Sequence, residues 1–547
     1  MVGVKQLLQD LTASGGGLEG RRFIIVSNRQ PFAHVRHGEQ VRVEKPPSGL
    51  TLALEPIVQA TSGTWIAASS GNADADASDA SGRVRPRPAG VEYDLRRIFL
   101  TAKQQQDYYT GFSNSTLWPL CHIAYHQPRF EERWWKAYVQ VNHIFADVVA
   151  DEVKDQPAVV FIQDFHLAIL PQLLRERCPQ AIIAQFWHIP WPNPEAFRIC
   201  PWRREILRGL LGNDLLGFHL TYHCNNFLDT VDRELQARVD REATAVVSSA
   251  GHNGRSRTSV AAFPMSVDYH RIQQSARQPA ALMEAENLRH RFVGSGTGAP
   301  RPAGATDRKL VISVERLDYS KGILERLAAI GRLFERHPEW LEKVDFVHIA
   351  TPSRTTVRAY RDYAQAVDRA VARVNATHST AAWTPVRALH IYVEPEKVWN
   401  WYRAADAVIV SSLHDGMNLV AKEFVAAGRD DAVLVLSEFT GAARALHEAV
   451  QMNPYATDGF ADAIAAALAM PEAERCERMR RLRWRVAHYD IGVWAREILR
   501  AIRQREFDAQ SPQFSAAAPS HRPRPRAQHD DDVDEPAATR LTRAHRQ

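Results

Sequence analysis

The stretch Val314-Glu315-Arg316-Leu317-Asp318-Tyr319-Ser320-Lys321-Gly322, taken with His414-Asp415-Gly416-Met417-Asn418-Leu419-Val420-Ala421-Lys422-Glu423 further along, decides the fold. Each segment follows an apolar, β-branched run, Leu310 to Val314 and Ala407 to Val410, and each opens a helical pattern. Groups placed this way sit at the carboxyl ends of parallel strands, where open α/β sheets bind ligands. Arg316 and Lys321 bring two fixed cations beside a helix start, and the helix dipole and its free N–H groups add to their charge. In the second segment, Asp415 to Asn418 lets backbone approach a ligand, and Glu423 lies about two helical turns beyond Asp415. Its carboxylate suits ribose hydroxyls. The two segments together describe a diphosphate pocket.

Outward from these motifs, strand-like runs alternate with amphipathic helical patterns, which indicates parallel α/β sheets. One set comprises Phe23 to Ser27, Val159 to Ile162, Ile182 to Trp187, Leu215 to Leu220 and Val260 to Phe263. The other comprises Leu310 to Val314, Val344 to Ile349, Leu389 to Val393, Ala407 to Val410 and Val433 to Leu436. Two Rossmann-like domains are expected: residues 21–270, with a helix at about 485–506 packing back on them, and residues 271–484. Residues 1–20, ending in a glycine run, read as a flexible leader, and Gly294 to Ala305 as a loop before the second set's first strand. Residues 508–547, rich in Ala, Pro, Arg, His and Asp, read as a disordered tail because their apolar content cannot offset ordering entropy.

The 547 residues exceed what one hydrophobic core usually serves, and 45% apolar with 24% charged side chains is ordinary globular chemistry. A formal charge of +5, without a Lys/Arg stripe interleaved with aromatics, argues against nucleic acid as a partner. Cys121, Cys178, Cys200, Cys224 and Cys476 form no CxxC pair, so neither a disulfide framework nor a thiolate metal site is expected. Lys5, Gln6, Gln9 and Asp10 interrupt the first apolar residues, and no run of about eighteen apolar residues occurs. Neither a secretory signal nor a membrane span is expected, and the expected location is the cytoplasm. Asp74-Ala75-Asp76 has the form of a metal-binding DxD but sits in the polar stretch Ser69 to Ser81 with no strand before it, which reads as a loop.

Six segments carry a family resemblance: Ser313 to Gly322, Asp415 to Glu423, Val26-Ser27-Asn28-Arg29, Tyr108 to Pro119, Gln163-Asp164-Phe165-His166 and His188-Ile189-Pro190-Trp191-Pro192. From about Arg22 to Gln504 they resemble, in order and in many spacings, the trehalose-6-phosphate synthase family of retaining glycosyltransferases. The resemblance implies the GT-B architecture, with a nucleotide-diphosphate sugar held by the second domain and the acceptor by the first. It implies small-molecule substrates, no metal and no other cofactor, because protein cations stabilise the leaving diphosphate. Self-association into a homo-oligomer stays open. The implied reaction moves glucose from a nucleotide-diphosphate glucose, UDP-glucose being the expected donor, to glucose 6-phosphate, giving α,α-trehalose 6-phosphate with retention.

By the same resemblance, Gly49, Arg316, Lys321, Asp415, Gly416, Met417, Asn418, Leu419 and Glu423 would bind the donor. Arg29, Tyr109, Trp118, Asp164 and Arg354 would surround the acceptor, with Arg29 and Arg354 on its phosphate. Asp164, His188, Arg316, Lys321 and Asp415 are the expected catalytic set. Asp164 with Glu315 or Asp318 also satisfies the two-acid pattern of glycosidases by spacing, but the neighbouring cations favour diphosphate departure.

The acceptor side departs from the family pattern. Its Gly-Gly is Ser48-Gly49, its Gly-Trp-Ser/Pro-Gly is Ala67-Ala68-Ser69-Ser70-Gly71, and its His-Asp-Tyr-His is Gln163-Asp164-Phe165-His166. A sugar-stacking tryptophan is therefore missing, with Trp65 three residues earlier as its one candidate substitute. Another phosphorylated acceptor, such as glycerol 3-phosphate, and a non-catalytic sugar-phosphate sensor are the alternatives.

Overall fold

The computed structural model describes residues 20–45, 49–235, 237–242, 244–247, 257–293 and 308–510. Most of the expected leader, the loop Gly294 to Ala305 and the tail beyond Gln510 lie outside them. A nine-stranded sheet runs in the order Asp94–Ile98, Thr64–Ala68, Arg22–Arg29, Ala158–Gln163, Ile182–Phe186, Leu215–Phe218, Arg257–Ala262, Ala245–Val247, Arg238–Asp240. Its pairings are parallel up to Arg257–Ala262, and the last two strands close that edge antiparallel. A six-stranded, wholly parallel sheet follows: Val386–Leu389, Val344–Thr351, Lys309–Arg316, Ala407–Val410, Val433–Ser437, Val450–Met452.

Both sheets reverse their strand order at the first strand. Arg22–Arg29 lies between Thr64–Ala68 and Ala158–Gln163, and Lys309–Arg316 lies between Val344–Thr351 and Ala407–Val410. A crevice opens where adjacent connections leave to opposite sides, at the carboxyl ends of those strands. The final residues there are Arg29 and Arg316. The sheet order thus aims one guanidinium from each half into one cleft.

The chain closes on itself through its last helix. Ile491–Gln510 places Trp494, Ile498 and Ile502, each essentially fully buried, against Phe23, Trp65 and Val159 of the first sheet. Burying each such isoleucine contributes about 1.5–3 kcal/mol. A single helix over about 485–506 was the expectation. The chain instead breaks after Glu472–His488, and Asp490 caps the new helix by accepting from Gly492 N at 2.9 Å and Val493 N at 3.0 Å.

One strand outside the expected set and one shifted strand have local reasons. Asp94–Ile98 reads as charged in sequence, yet Arg96 and Arg97 are buried because Glu152 and Asp74 pair with them. The strand expected at Leu389 to Val393 is Val386–Leu389, pinned early by the Asn375 amide, which bonds both Val386 O (2.9 Å) and Val386 N (3.1 Å). Among the described residues, no helix is long and apolar enough to cross a membrane.

Candidate functional site

A cavity of about 400 Å³ lies between the carboxyl ends of the two sheets, lined from both halves of the chain. Of the expected site residues it gathers Arg29, Tyr109, Trp118, Asp164, His188, Arg316, Lys321, Arg354, Asp415, Met417, Asn418, Leu419 and Glu423. Gly416 sits behind the wall. A Cβ there would come within 2.5 Å of His188 O, so only glycine allows this approach between the halves. Gly49 begins the helix Gly49–Ala60.

On the second-sheet side, the loop after Lys309–Arg316 is held by Asp318, whose Oδ1 accepts from Ser320 N at 3.0 Å. Gly322 then takes φ +63, where a Cβ would meet Ser411 O at 2.0 Å, and the helix Ile323–Arg336 begins. This turn brings Lys321 Nζ to 2.6 Å from Asp415 Oδ2, which also accepts from Ser412 Oγ and Asn418 Nδ2 at 3.1 Å each. Burial opposes ionisation of Asp415, but Lys321 outweighs it and holds the carboxyl far below its usual range. Asn418, at φ +78, caps the helix Leu419–Ala427 by accepting from Ala421 N at 3.1 Å. One turn on, Glu423 has no such cation among the described residues, and burial pushes its carboxyl up to about 7. Lys422, beside it, donates to Met265 O at 2.6 Å and ties this helix to chain leaving the first sheet.

The opposite end is dominated by guanidinium groups. Arg29 donates to Tyr109 Oη at 3.1 Å, and Tyr109 stacks on His166 at 5.6 Å. Arg354, at φ +48, lies 4.0 Å over the Trp118 ring, and Arg316 lies 5.1 Å over the same ring. Arg354 also reaches Asp318 Oδ2 at 3.1 Å, and Arg316 reaches the same oxygen at 3.6 Å. Burial alone would raise the Tyr109 phenol, yet Arg29 and Arg354 bring it down to about 7.

Asp164 stands between these ends. It follows Ala158–Gln163 at φ +73, a left-handed backbone position that only surrounding structure sustains in a residue with a side chain. Its Oδ1 accepts from His188 N at 3.2 Å, and burial pushes its carboxyl up to about 6 against the pull of that bond and of Arg29. Neither potential second acid is free to act with it. Glu315 is bonded to Arg326 and His348, and Asp318 is fully buried among Arg354, Tyr360 and Ser320.

The structure bears on three sequence readings here. Trp65 faces away from the cavity, its Nε1 donating to Ser27 Oγ at 2.8 Å within the core beneath the last helix, so it does not replace the missing tryptophan. Asp74 is fully buried and structural: it accepts from Gln30 Nε2 (2.6 Å), His34 N (2.7 Å) and Gly71 N (2.7 Å) and pairs with Arg97 (2.9 Å). His166, read in sequence as more often structural, lines the cavity with Nε2 buried and, among the described residues, unbonded. Sequence reasoning also missed His122, His219, Ser412 and Met265, which line the cavity from segments without a motif of their own or from the flank of one. Tyr109 and Trp118 are presented by a rarer device, the π-helical segment Gln105–Leu117 and the turn after it.

A sequence model of glycosyltransferase family 20 matches residues 21–504. A trehalose-6-phosphate synthase of Mycolicibacterium gilvum is 39% identical over 491 residues, covering 88% of this chain and 94% of that protein. The solved structure of a UDP-forming α,α-trehalose-phosphate synthase from Burkholderia xenovorans, in complex with glucose 6-phosphate, superposes with a TM-score of 0.75 at 30% identity. It covers 88% of this chain and 100% of the other. An E. coli structure described as bound with UDP-2-fluoro glucose gives a TM-score of 0.75 at 29% identity, over 88% and 99% of the two chains. Both sheets, the cleft between them and the motifs on its walls fall inside these matches, and the fold is GT-B. The chain belongs to glycosyltransferase family 20.

Proposed function

We propose that the protein transfers glucose from UDP-glucose to glucose 6-phosphate with retention, forming α,α-trehalose 6-phosphate and UDP. One observation carries this reading: a single cavity holds a lysine–carboxylate pair at one end and converging arginines at the other, with Asp164 and His188 between. A diphosphate fits the first end and a phosphate monoester the second. Two sugar rings fit between them. The names of relatives, trehalose-6-phosphate synthases among them, agree with this acceptor.

In the reaction, Glu423 holds the ribose, while the Asp415–Leu419 segment and Lys321 receive the diphosphate. Lys321 exchanges its bond to Asp415 for the leaving phosphate oxygen, and Arg316 adds a second cation as that charge develops. Arg29, Tyr109 and Arg354 seize the acceptor phosphate and so fix its sugar beside the donor carbon. Asp164 and His188 orient the sugars. Bond formation from the face that the diphosphate leaves retains configuration, and the departing phosphate takes the acceptor hydroxyl proton. The protein cations take the place of a divalent ion, so turnover is expected to survive EDTA without added magnesium or manganese.

A second reading, glycerol 3-phosphate as acceptor, draws on one observation. The loop after Thr64–Ala68 supplies no aromatic ring to the cavity, and Trp65 is committed to the core. Losing one stacking ring costs about 0.5–1.5 kcal/mol, less than tenfold to roughly tenfold in affinity, which leaves glucose 6-phosphate the better fit. Nucleotide release with UDP-, GDP- and ADP-glucose against both acceptors, with product mass and anomeric configuration, decides between them. Release only with glycerol 3-phosphate would replace the acceptor, and no release with any pair would sink the reaction.

A further inference from the structure

The geometry points to Gln163 as a positioning residue: we infer that its side-chain amide locks His188 in the Nε2–H tautomer and so presents Nδ1 to a sugar hydroxyl as a pure hydrogen-bond acceptor. Gln163 is completely buried at the end of Ala158–Gln163, and its Oε1 lies 3.0 Å from His188 Nε2. The other end of the amide fixes its orientation. Gln163 Nε2 points at Phe161 O, 3.5 Å away, and a flipped amide would set two oxygens against each other. With Oε1 facing the ring, His188 Nε2 must carry the proton.

The rest of the ring's surroundings leave that choice in place. Phe186 at 4.6 Å and His219 at 5.7 Å contact the ring by their faces and edges, and the nearby carboxylate, Asp164, bonds the backbone N–H of His188. His219 is itself turned away, its Nδ1 accepting from Met265 N at 3.4 Å. Gly416 approaches His188 O closely from the opposite half, which helps fix the residue's position in the cleft. His188 lines the cavity, and among the described residues no group bonds Nδ1. Burial keeps the ring neutral by pushing its basicity down to about pKa 3, so the lone pair on Nδ1 persists throughout the neutral range. Two consecutive residues therefore hold His188, Asp164 by its main chain and Gln163 by its ring. The position matters because the family motif has histidine at 163. A histidine there could serve as donor or acceptor, whereas an amide held at its far end allows only one arrangement.

This inference rests on the proposed transfer for its effect on rate, but not for the tautomer itself. Long-range proton–nitrogen spectra of histidine-labelled, full-length protein, with His188 assigned by its loss in His188→Gln, read the tautomer directly. The wild type should show protonated Nε2 and bare Nδ1, and Gln163→Met, which fills the same space without an acceptor, should show a mixture. In Gln163→Met, kcat/KM for UDP-glucose should fall about tenfold while the Kd for UDP stays within about twofold. A bare Nε2 in the wild type would overturn the inference whatever the turnover. So would a Gln163→Met enzyme with unchanged kcat/KM, or one whose UDP affinity falls in parallel, since that marks general damage to the cleft. A wild type that transfers no glucose yet shows protonated Nε2 would sink the proposed reaction and leave the assignment of Gln163 standing.

Discussion

Lys321 meets Asp415 at 2.6 Å, and that carboxylate has two further donors; Arg29, at the other end of the same cavity, has the phenol of Tyr109 at 3.1 Å and no carboxylate among the described residues. Arg316 and Arg354 share a single carboxylate, Asp318, and both lie over the Trp118 ring, while Arg354 also donates to Tyr360 Oη. The lysine end, where the proposed reaction places the donor, is therefore charge-balanced within the protein, and the arginine end, where it places the acceptor, is not. A balanced pair must be opened for the leaving phosphate, so its electrostatic help appears as charge develops. An unbalanced cluster binds its anion in the ground state. On the proposed reaction, the contrast separates a region that acts on rate from one that acts on acceptor affinity.

The sharpest way to break the contrast is at Arg316, which reaches toward both ends. Arg316→Ala should lower kcat about 10³-fold, about 4 kcal/mol of transition-state stabilisation, in a nucleotide-release assay at saturating substrates. Full turnover in that variant would remove this cation from catalysis. The second break concerns the two cavity aspartates. Asp415 is held ionised by its lysine, whereas burial raises Asp164 from 3.8 to about 6. In the unfolded chain Asp164 ionises first, so its contribution to stability falls as pH rises from about 4 to about 6, and the penalty is full above that. Asp164→Asn should thus be inactive yet more stable by up to about 3 kcal/mol at pH 7, with the gain vanishing below about pH 4. Equal stability by denaturant titration at pH 7 would show that burial there is less costly than its geometry indicates.

The third variant sharpens the acceptor end alone. Arg29→Leu should raise the KM for glucose 6-phosphate about a hundredfold and leave the KM for UDP-glucose unchanged, as expected for one lost charge-assisted contact. Parallel changes in both constants would dissolve the division between the two ends. The smallest effect is expected at Tyr109, whose phenol the arginines bring down to about 7. Below that pH the phenol donates to a phosphate, and above it the phenolate repels one. Acceptor KM should therefore rise as pH passes 7, and Tyr109→Phe should flatten that rise while raising KM about fivefold at pH 6.

The strand ends and their polar loops were legible because periodicity and glycine placement are local properties: Arg316, Lys321, Asp415 and Glu423 were found from their own neighbourhoods. Trp65 was not. Whether it faced the cavity or the core depended on strand pleat and on a cover, and the cover is Trp494 and Ile498, which arrive from the other end of the chain. Arg96 and Arg97 concealed a buried strand because Glu152 and Asp74, which neutralise them, come from elsewhere in the sequence. Gln163 stood out as a departure from a motif, but its role required the position of one ring nitrogen on the next strand.

What the sequence determined by itself is the set of chemical groups and the strands that end in them, since both follow from residue type and short-range pattern. The tertiary structure alone decided their charge. Asp164 and Asp415 are the same residue in comparable places, and their carboxyls differ because a lysine 94 positions away along the chain comes within 2.6 Å of one and not the other. Coulomb attraction and desolvation depend on distance and burial in space, and neither is written in the order of residues.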